Sequence, residues 1–103
     1  MKKIVRVDYR ANDELKRFSP EVQFKFKGCF RTLEADGRLE FPESKKIDKN
    51  LFEIRINFEG AYRGFYAYIK GTYVIILHAF KKTSQKTPLK NLKISRKRMK
   101  EYE

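Results

Sequence analysis

The run Lys3-Ile4-Val5-Arg6-Val7-Asp8 is short, β-branched and bounded by charge, which reads as a strand. Asn12-Asp13 then offers a cap for a helical turn through Glu14, Leu15 and Phe18. At Ser19-Pro20 the signal is sharper: a serine at the N-cap and a proline at the first helical position, where its missing N–H costs nothing. Val22, Phe26, Phe30 and Leu33 recur at spacings of three and four, with Cys29 beside the stripe and Lys25, Lys27 and Arg31 off it. Gly37 supplies the helix stop. The two helices are expected to form a hairpin packed on a sheet.

Between Arg38 and Lys49 the periodicity disappears and Pro42 interrupts any regular element, so this stretch reads as a loop with at most an extended edge. Three segments of strand character follow, Leu51 to Phe58, Ala61 to Ile69 and Thr72 to Phe80, divided by Glu59-Gly60 and Lys70-Gly71. Connections this short make them antiparallel neighbours. Along the first, Phe52, Ile54, Ile56 and Phe58 share a core face, whereas Glu53, Arg55 and Asn57 share a charged one. Tyr73-Val74-Ile75-Ile76-Leu77 is apolar on both faces, as a central strand would be. Thr87-Pro88 repeats the cap-then-proline signal, and Leu89, Leu92, Arg96 and Met99 continue at helical spacing. The expected fold is α+β over residues 1–103 as one domain: an N-terminal strand and helical hairpin on a curved antiparallel sheet, closed by a basic C-terminal helix. The helices are expected on one face of the sheet and a basic groove on the other.

Composition supports one core, because 9 Phe and 6 Tyr in 103 residues supply ample large apolar surface. Charge adds a partner. The formal net charge is +12, and Lys81 to Glu103 hold nine of the Lys and Arg against two Glu, so the C-terminal segment carries more than half of the excess. A bias of this size implies a polyanion: nucleic acid, an anionic surface or an acidic protein. Cys29 is the sole cysteine, which excludes an intramolecular disulfide and suits a reducing cytosol. No stretch approaches the roughly 18 apolar residues of a membrane span, so a soluble, unprocessed, cytoplasmic protein without a membrane partner is expected.

Several chemistries lack their residues. There is no glycine loop for a nucleotide, no HExxH, no ligand cluster around His78 and no nucleophile elbow, so no cofactor and no metal are expected. What the chain offers is cations on the sheet and past its end: Arg55, Arg63, Lys70, Lys81, Lys82 and Lys86, with His78 near the end of the last strand. Fixed guanidinium and ammonium groups stabilise the extra negative charge of a phosphoryl-transfer transition state. Tyr62, Tyr66, Tyr68 and Phe80 are candidate rings for stacking unpaired bases, and Lys86, Lys90 and Lys93 are candidate backbone contacts. Each also has an ordinary reading. Arg55 and Arg63 suit the solvated face of a strand, Lys81-Lys82 keep an edge soluble, and a lone histidine at a strand end is commonly structural. Phe26 and Phe30 read as core, and Cys29 as a small buried hydrophobe. Only the combination points to phosphate chemistry.

Three strings sharpen this. Leu51-Phe52-Glu53-Ile54-Arg55, Tyr62-Arg63-Gly64-Phe65-Tyr66 and the run from Leu77-His78-Ala79-Phe80-Lys81-Lys82 through Thr83-Ser84-Gln85-Lys86-Thr87-Pro88 resemble the phage-derived HigB-like branch of the RelE/ParE toxin superfamily. The resemblance spans nearly the whole chain. It implies the toxin of a type II toxin–antitoxin pair, a metal-independent endoribonuclease that cuts messenger RNA in the ribosomal A site by attack of the 2′-hydroxyl, leaving a 2′,3′-cyclic phosphate. By the same resemblance Arg63 matches the strand arginine at the scissile phosphate, Arg55 the basic position of the preceding strand, and Lys81 and Lys82 the basic residues after the last strand. Histidine and glutamate move protons in some members, which makes His78 and Glu53 candidates. Should His78 point to the helix-covered face, as alternation from Val74 and Ile76 suggests, a lysine or water must serve instead. The implied partners are the ribosome, messenger RNA and a cognate antitoxin, HigA-like with a helix-turn-helix, or acidic. The ParE branch, which inhibits DNA gyrase, and a non-enzymatic nucleic-acid-binding module are the alternatives. The nuclease reading requires that Arg55, Arg63, Lys81 and Lys82 converge, and that Arg63 is not locked in a structural ion pair.

Overall fold

The computed structural model describes residues 1–86 and 88–103. Its elements run β1 (Ile4–Val7), α1 (Tyr9–Lys16), α2 (Pro20–Asp36), β2 (Ser44–Asp48), β3 (Leu51–Asn57), β4 (Ala61–Ile69), β5 (Tyr73–Lys82) and α3 (Leu89–Lys100). The strands form one sheet in the order β1-β5-β4-β3-β2. β2, β3, β4 and β5 pair antiparallel in sequence, while β1 returns beside β5 in parallel. The α+β fold is the expected one, with β1 making the sheet mixed. The extended edge allowed for in the 38–49 stretch is β2, whose Ser44 hydroxyl is bonded to the Tyr66 hydroxyl at 2.6 Å.

Helix α1 begins earlier than the Asn12-Asp13 signal suggests. Asp8 caps it, accepting from the Arg10 and Ala11 N–H groups. This carboxylate is buried and also accepts from the Arg10 guanidinium and, at 2.6 Å, from the Tyr102 hydroxyl. No polar spacer was needed, because the last residue of the strand run is itself the cap. Helix α2 follows its signals: Ser19 Oγ accepts from the Val22 N–H, Pro20 opens the helix, and Gly37 ends it at φ 79°, a left-handed conformation that glycine adopts without strain. Val22, Phe26, Cys29 and Leu33 of α2 are buried with Ala11 and Leu15 of α1 against Ile54, Ile56, Tyr66, Val74 and Ile76 of the sheet. Gly64 permits the close approach, since a Cβ there would stand 2.9 Å from Cε1 of Phe26.

The opposite face is not left open, as the expected basic groove would require. Met99 and Leu92 of α3, with Tyr102 beyond it, cover Leu51, Phe65, Ala67, Ile69, Ile75 and Leu77. The reason lies in β4 and β5, whose apolar residues point to both faces and need a second cover. Arg96 ties the helix to Asp48 at 2.6 Å. Pro88 occupies the N-cap position of α3 itself, without a side-chain cap, and the expected Thr87 cap lies outside the described residues. Among the described residues, no helix is long and apolar enough to cross a membrane.

Candidate functional site

The β3–β4 register sets Arg55 directly opposite Arg63, and the β4–β5 register sets Arg63 opposite Phe80. Side chains opposite one another share a face, so the two guanidinium groups stand side by side on the α3 side of the sheet. Glu53, two residues before Arg55, joins them from the same face. Its carboxylate is 4% exposed as a residue, with Oε1 accepting from Arg55 Nε at 2.8 Å and Oε2 lying 4.0 Å from Arg63 Nε.

That second distance is too long for a hydrogen bond. Arg63 is 9% exposed, donates through Nη1 to the Tyr62 carbonyl at 2.9 Å, and among the described residues its buried Nε has no partner. Burial lowers its pKa, Glu53 opposes that shift, and the neighbouring Arg55 charge reinforces it. An orphaned buried donor costs about 1–3 kcal/mol. The fold holds a guanidinium beside a like charge, with hydrogen-bonding capacity unspent, and an anion would relieve both conditions.

The other candidates divide. Strand alternation along β5 brings Lys82 to the Phe80 face and sends Lys81 to the opposite one. There the Lys81 ammonium lies 5.7 Å from the centre of the Tyr62 ring, which packs on Phe18 at 4.9 Å. Away from a bulge, consecutive strand residues face opposite sides, so of the four cations expected to converge, Arg55, Arg63 and Lys82 share a face and Lys81 does not. Tyr66 is corrected as a base-stacking residue: it is 1% exposed, packed on Phe52, and burial pushes its hydroxyl up to about 12. Its side of β4 is the one the helical hairpin covers. Lys86, Lys90 and Lys93 are exposed.

His78 is also placed differently from the alternation argument. The β4–β5 register shifts between Phe65, which faces His78, and Tyr66, which faces Ile76, so Leu77 is an extra residue in β5. Such a bulge breaks the alternation and turns His78 to the α3 face, stacked on Phe80 at 5.2 Å. Nδ1 meets Glu14 Oε1 at 2.9 Å and Nε2 meets the Asn91 side chain at 2.6 Å. With both nitrogens engaged and 5% exposure, this histidine is a strut between α1, β5 and α3, which corrects its candidacy as a proton carrier. Arg98 completes the strut by bonding both Glu14 oxygens and the Leu77 carbonyl. Burial alone would raise the Glu14 carboxyl, but bonds from His78, Arg98 and the Ala79 N–H prevail and hold it at about 2.

One exposed ring was not among the sequence candidates. Phe41 is 73% exposed and the Arg55 guanidinium lies 5.9 Å from its ring centre. It sits in the irregular stretch 38–43, where no periodicity marks a functional face. Cys29, by contrast, is the expected buried hydrophobe, its thiol pushed up to about 11 by burial. Among the described residues, no group of three His, Cys, Asp or Glu side chains is placed to hold a metal ion.

Comparison with known proteins agrees with this architecture. The sequence pattern of the phage-derived Gp49-like proteins matches residues 13–100. No curated protein matches the chain. An arginine-to-alanine double mutant of the Escherichia coli toxin RelE, in its free state, superposes with a TM-score of 0.74 at 19% identity, covering 96% of this chain and 99% of that one. The RelBE2 toxin–antitoxin complex from Mycobacterium tuberculosis matches at 0.61 and 20% identity, over 80% of this chain and 100% of that one. The intact E. coli RelBE complex matches at 0.64 and 19% identity, over 80% and 99%. The fold is that of the RelE toxins, as the three strings implied, and the chain belongs to the phage-derived Gp49-like family.

Proposed function

We propose that this protein is the toxin of a type II toxin–antitoxin pair, acting as a metal-independent endoribonuclease on messenger RNA in the ribosomal A site. The observation that carries the reading is the Arg55–Arg63 pair, with one carboxylate between two guanidinium groups and a buried Arg63 Nε unbonded. Arg63 and Arg55 hold the non-bridging oxygens of the scissile phosphate. Their charge is fixed before the substrate arrives, so stabilising the transition state requires little reorganisation. The 2′-oxygen forms its bond to phosphorus as the bond to the 5′-oxygen breaks, giving a 2′,3′-cyclic phosphate. One proton leaves the 2′-hydroxyl and one reaches the 5′-oxygen. With His78 committed to the strut, Lys82 is the lysine on the correct face to deliver it, and water takes the other.

The remaining cations fit the same partner. Lys86, Lys90 and Lys93 are exposed and suit ribosomal or messenger phosphates. Two of the matched structures are toxin–antitoxin complexes, and a net charge of +12 suits an acidic or HigA-like, helix-turn-helix antitoxin in the same cytoplasm. Induction in growing cells followed by primer extension on a translated message tests the reading. Cuts inside codons of translated regions, lost in Arg63→Ala together with growth arrest, are expected. Arrest without RNA cuts, accompanied by gyrase stalled on DNA, would move the protein to the ParE-like reading.

A further inference from the structure

We infer that Phe41 is a stacking platform for an unpaired nucleotide whose phosphate lies on the Arg55–Arg63 pair; the inference rests on the RNA-directed function proposed above. A single exposed ring is ordinary on a protein surface, but Phe41, 73% exposed, stands beside the Arg55 guanidinium, and that neighbour is what marks it. Phe41 is also held in place. Ser44 N–H donates to the Glu40 carbonyl, Arg55 N–H donates to the Glu43 carbonyl at 2.8 Å, and the Ser44 hydroxyl is bonded to buried Tyr66. The turn that carries the ring is thereby closed from Glu40 to Ser44 and fixed to β3 and β4 on the C-terminal side of Phe41. A ring held in advance surrenders little conformational entropy on binding.

The chemistry beside it selects the occupant. The Arg55 guanidinium lies 5.9 Å from the ring centre and directly across β3–β4 from Arg63. A cation for a phosphate and an aromatic face for a base stand about one nucleotide apart, the combination that grips single strands. An acidic peptide would use the guanidinium groups but gain less from a flat, open ring.

The test uses the full chain and a fluorescein-labelled single-stranded RNA octamer with 2′-O-methyl riboses, which prevent cleavage. Phe41→Ala is expected to weaken binding about 5- to 150-fold, the range for loss of one stacked base, without changing the salt slope. Phe41→Tyr keeps the ring and restores affinity. Arg55→Ala lowers the salt slope by about one. Phe24→Ala, which removes another exposed ring, leaves affinity unchanged. Equal affinity of wild type and Phe41→Ala, an equal loss in Phe24→Ala, absent RNA binding by wild type, or tighter binding of an acidic peptide at Phe41 would each overturn the inference. Ribosomal cleavage that is insensitive to Phe41→Ala would sink the inference alone. A Phe41-dependent RNA affinity in a chain that never cuts would sink the proposed function and leave the inference standing.

Discussion

Arg55 and Arg63 face each other across the β3–β4 ladder and share a single carboxylate, Glu53, whose near oxygen is spent on Arg55 at 2.8 Å while Arg63 is left at 4.0 Å. Arg63 is therefore a buried cation that stability alone does not justify. Arg63→Met keeps the volume, removes the orphaned donor and ends the repulsion with Arg55. We expect the variant to be at least as stable as wild type, with a gain of up to about 1–3 kcal/mol in urea unfolding, and to be inactive in translation arrest. A large loss of stability would instead make Arg63 a structural residue.

The lysines after the last strand separate by face. Lys82 lies on the Phe80 side with the arginines, and Lys81 lies over Tyr62 on the hairpin side. Lys82→Ala should slow message cleavage on the order of tenfold or more, as expected for removal of a charge near the reacting phosphate. Lys81→Ala should stay within about twofold, with the effect of an exposed charge at longer range. Single-turnover cleavage on programmed ribosomes compares them.

Acid should weaken the protein through Asp8 and Glu14. Both are held at about 2 in the fold, against ordinary values of 3.8 and 4.5: burial opposes the shift, and bonds from Arg10 and Tyr102 for Asp8, and from His78 and Arg98 for Glu14, overcome it. A depressed carboxylate contributes stability that is complete above its unfolded pKa and is lost as pH falls towards the folded one. The urea midpoint should therefore be flat in these two groups above about pH 5.5 and fall steadily from about pH 5 towards pH 2. Glu14→Gln should lower the midpoint at pH 7 and make the acid loss shallower.

Gly64 is the contact on which α2 settles. Its absent Cβ leaves room for Phe26, which a methyl would meet at 2.9 Å. Because Phe26 is 1% exposed and packed among other rings, it has little freedom to retreat. Gly64→Ala should cost about 1–3 kcal/mol in equilibrium unfolding, the range for overpacking a filled core.

Much of this architecture was legible because the signals are local. Ser19-Pro20 and Gly37 mark the ends of α2 by cap chemistry, and the turns at Glu59-Gly60 and Lys70-Gly71 separate the three central strands. What escaped was non-local. The placement of α3 over the second face depends on which apolar residues of β4 and β5 remain uncovered, and the parallel return of β1 leaves no mark in its own four residues. At the site, the Arg55–Arg63 pairing followed from the strand strings and short turns. His78 did not, because one inserted residue in β5 reverses the alternation on which its direction was judged. Tyr66 escaped for a related reason: the sequence marks an aromatic residue on β4, but only packing shows which face the hairpin covers. Phe41 lay in a stretch without period, where exposure cannot be read from sequence.

The most direct measurement adds purified protein to ribosomes carrying a single defined message and maps the 5′ and 3′ ends produced. Cuts within the A-site codon that leave a 2′,3′-cyclic phosphate are expected, absent when the message is free of ribosomes and absent with Arg63→Met. An intact message on programmed ribosomes, or equal cutting by Arg63→Met, would contradict the proposed function.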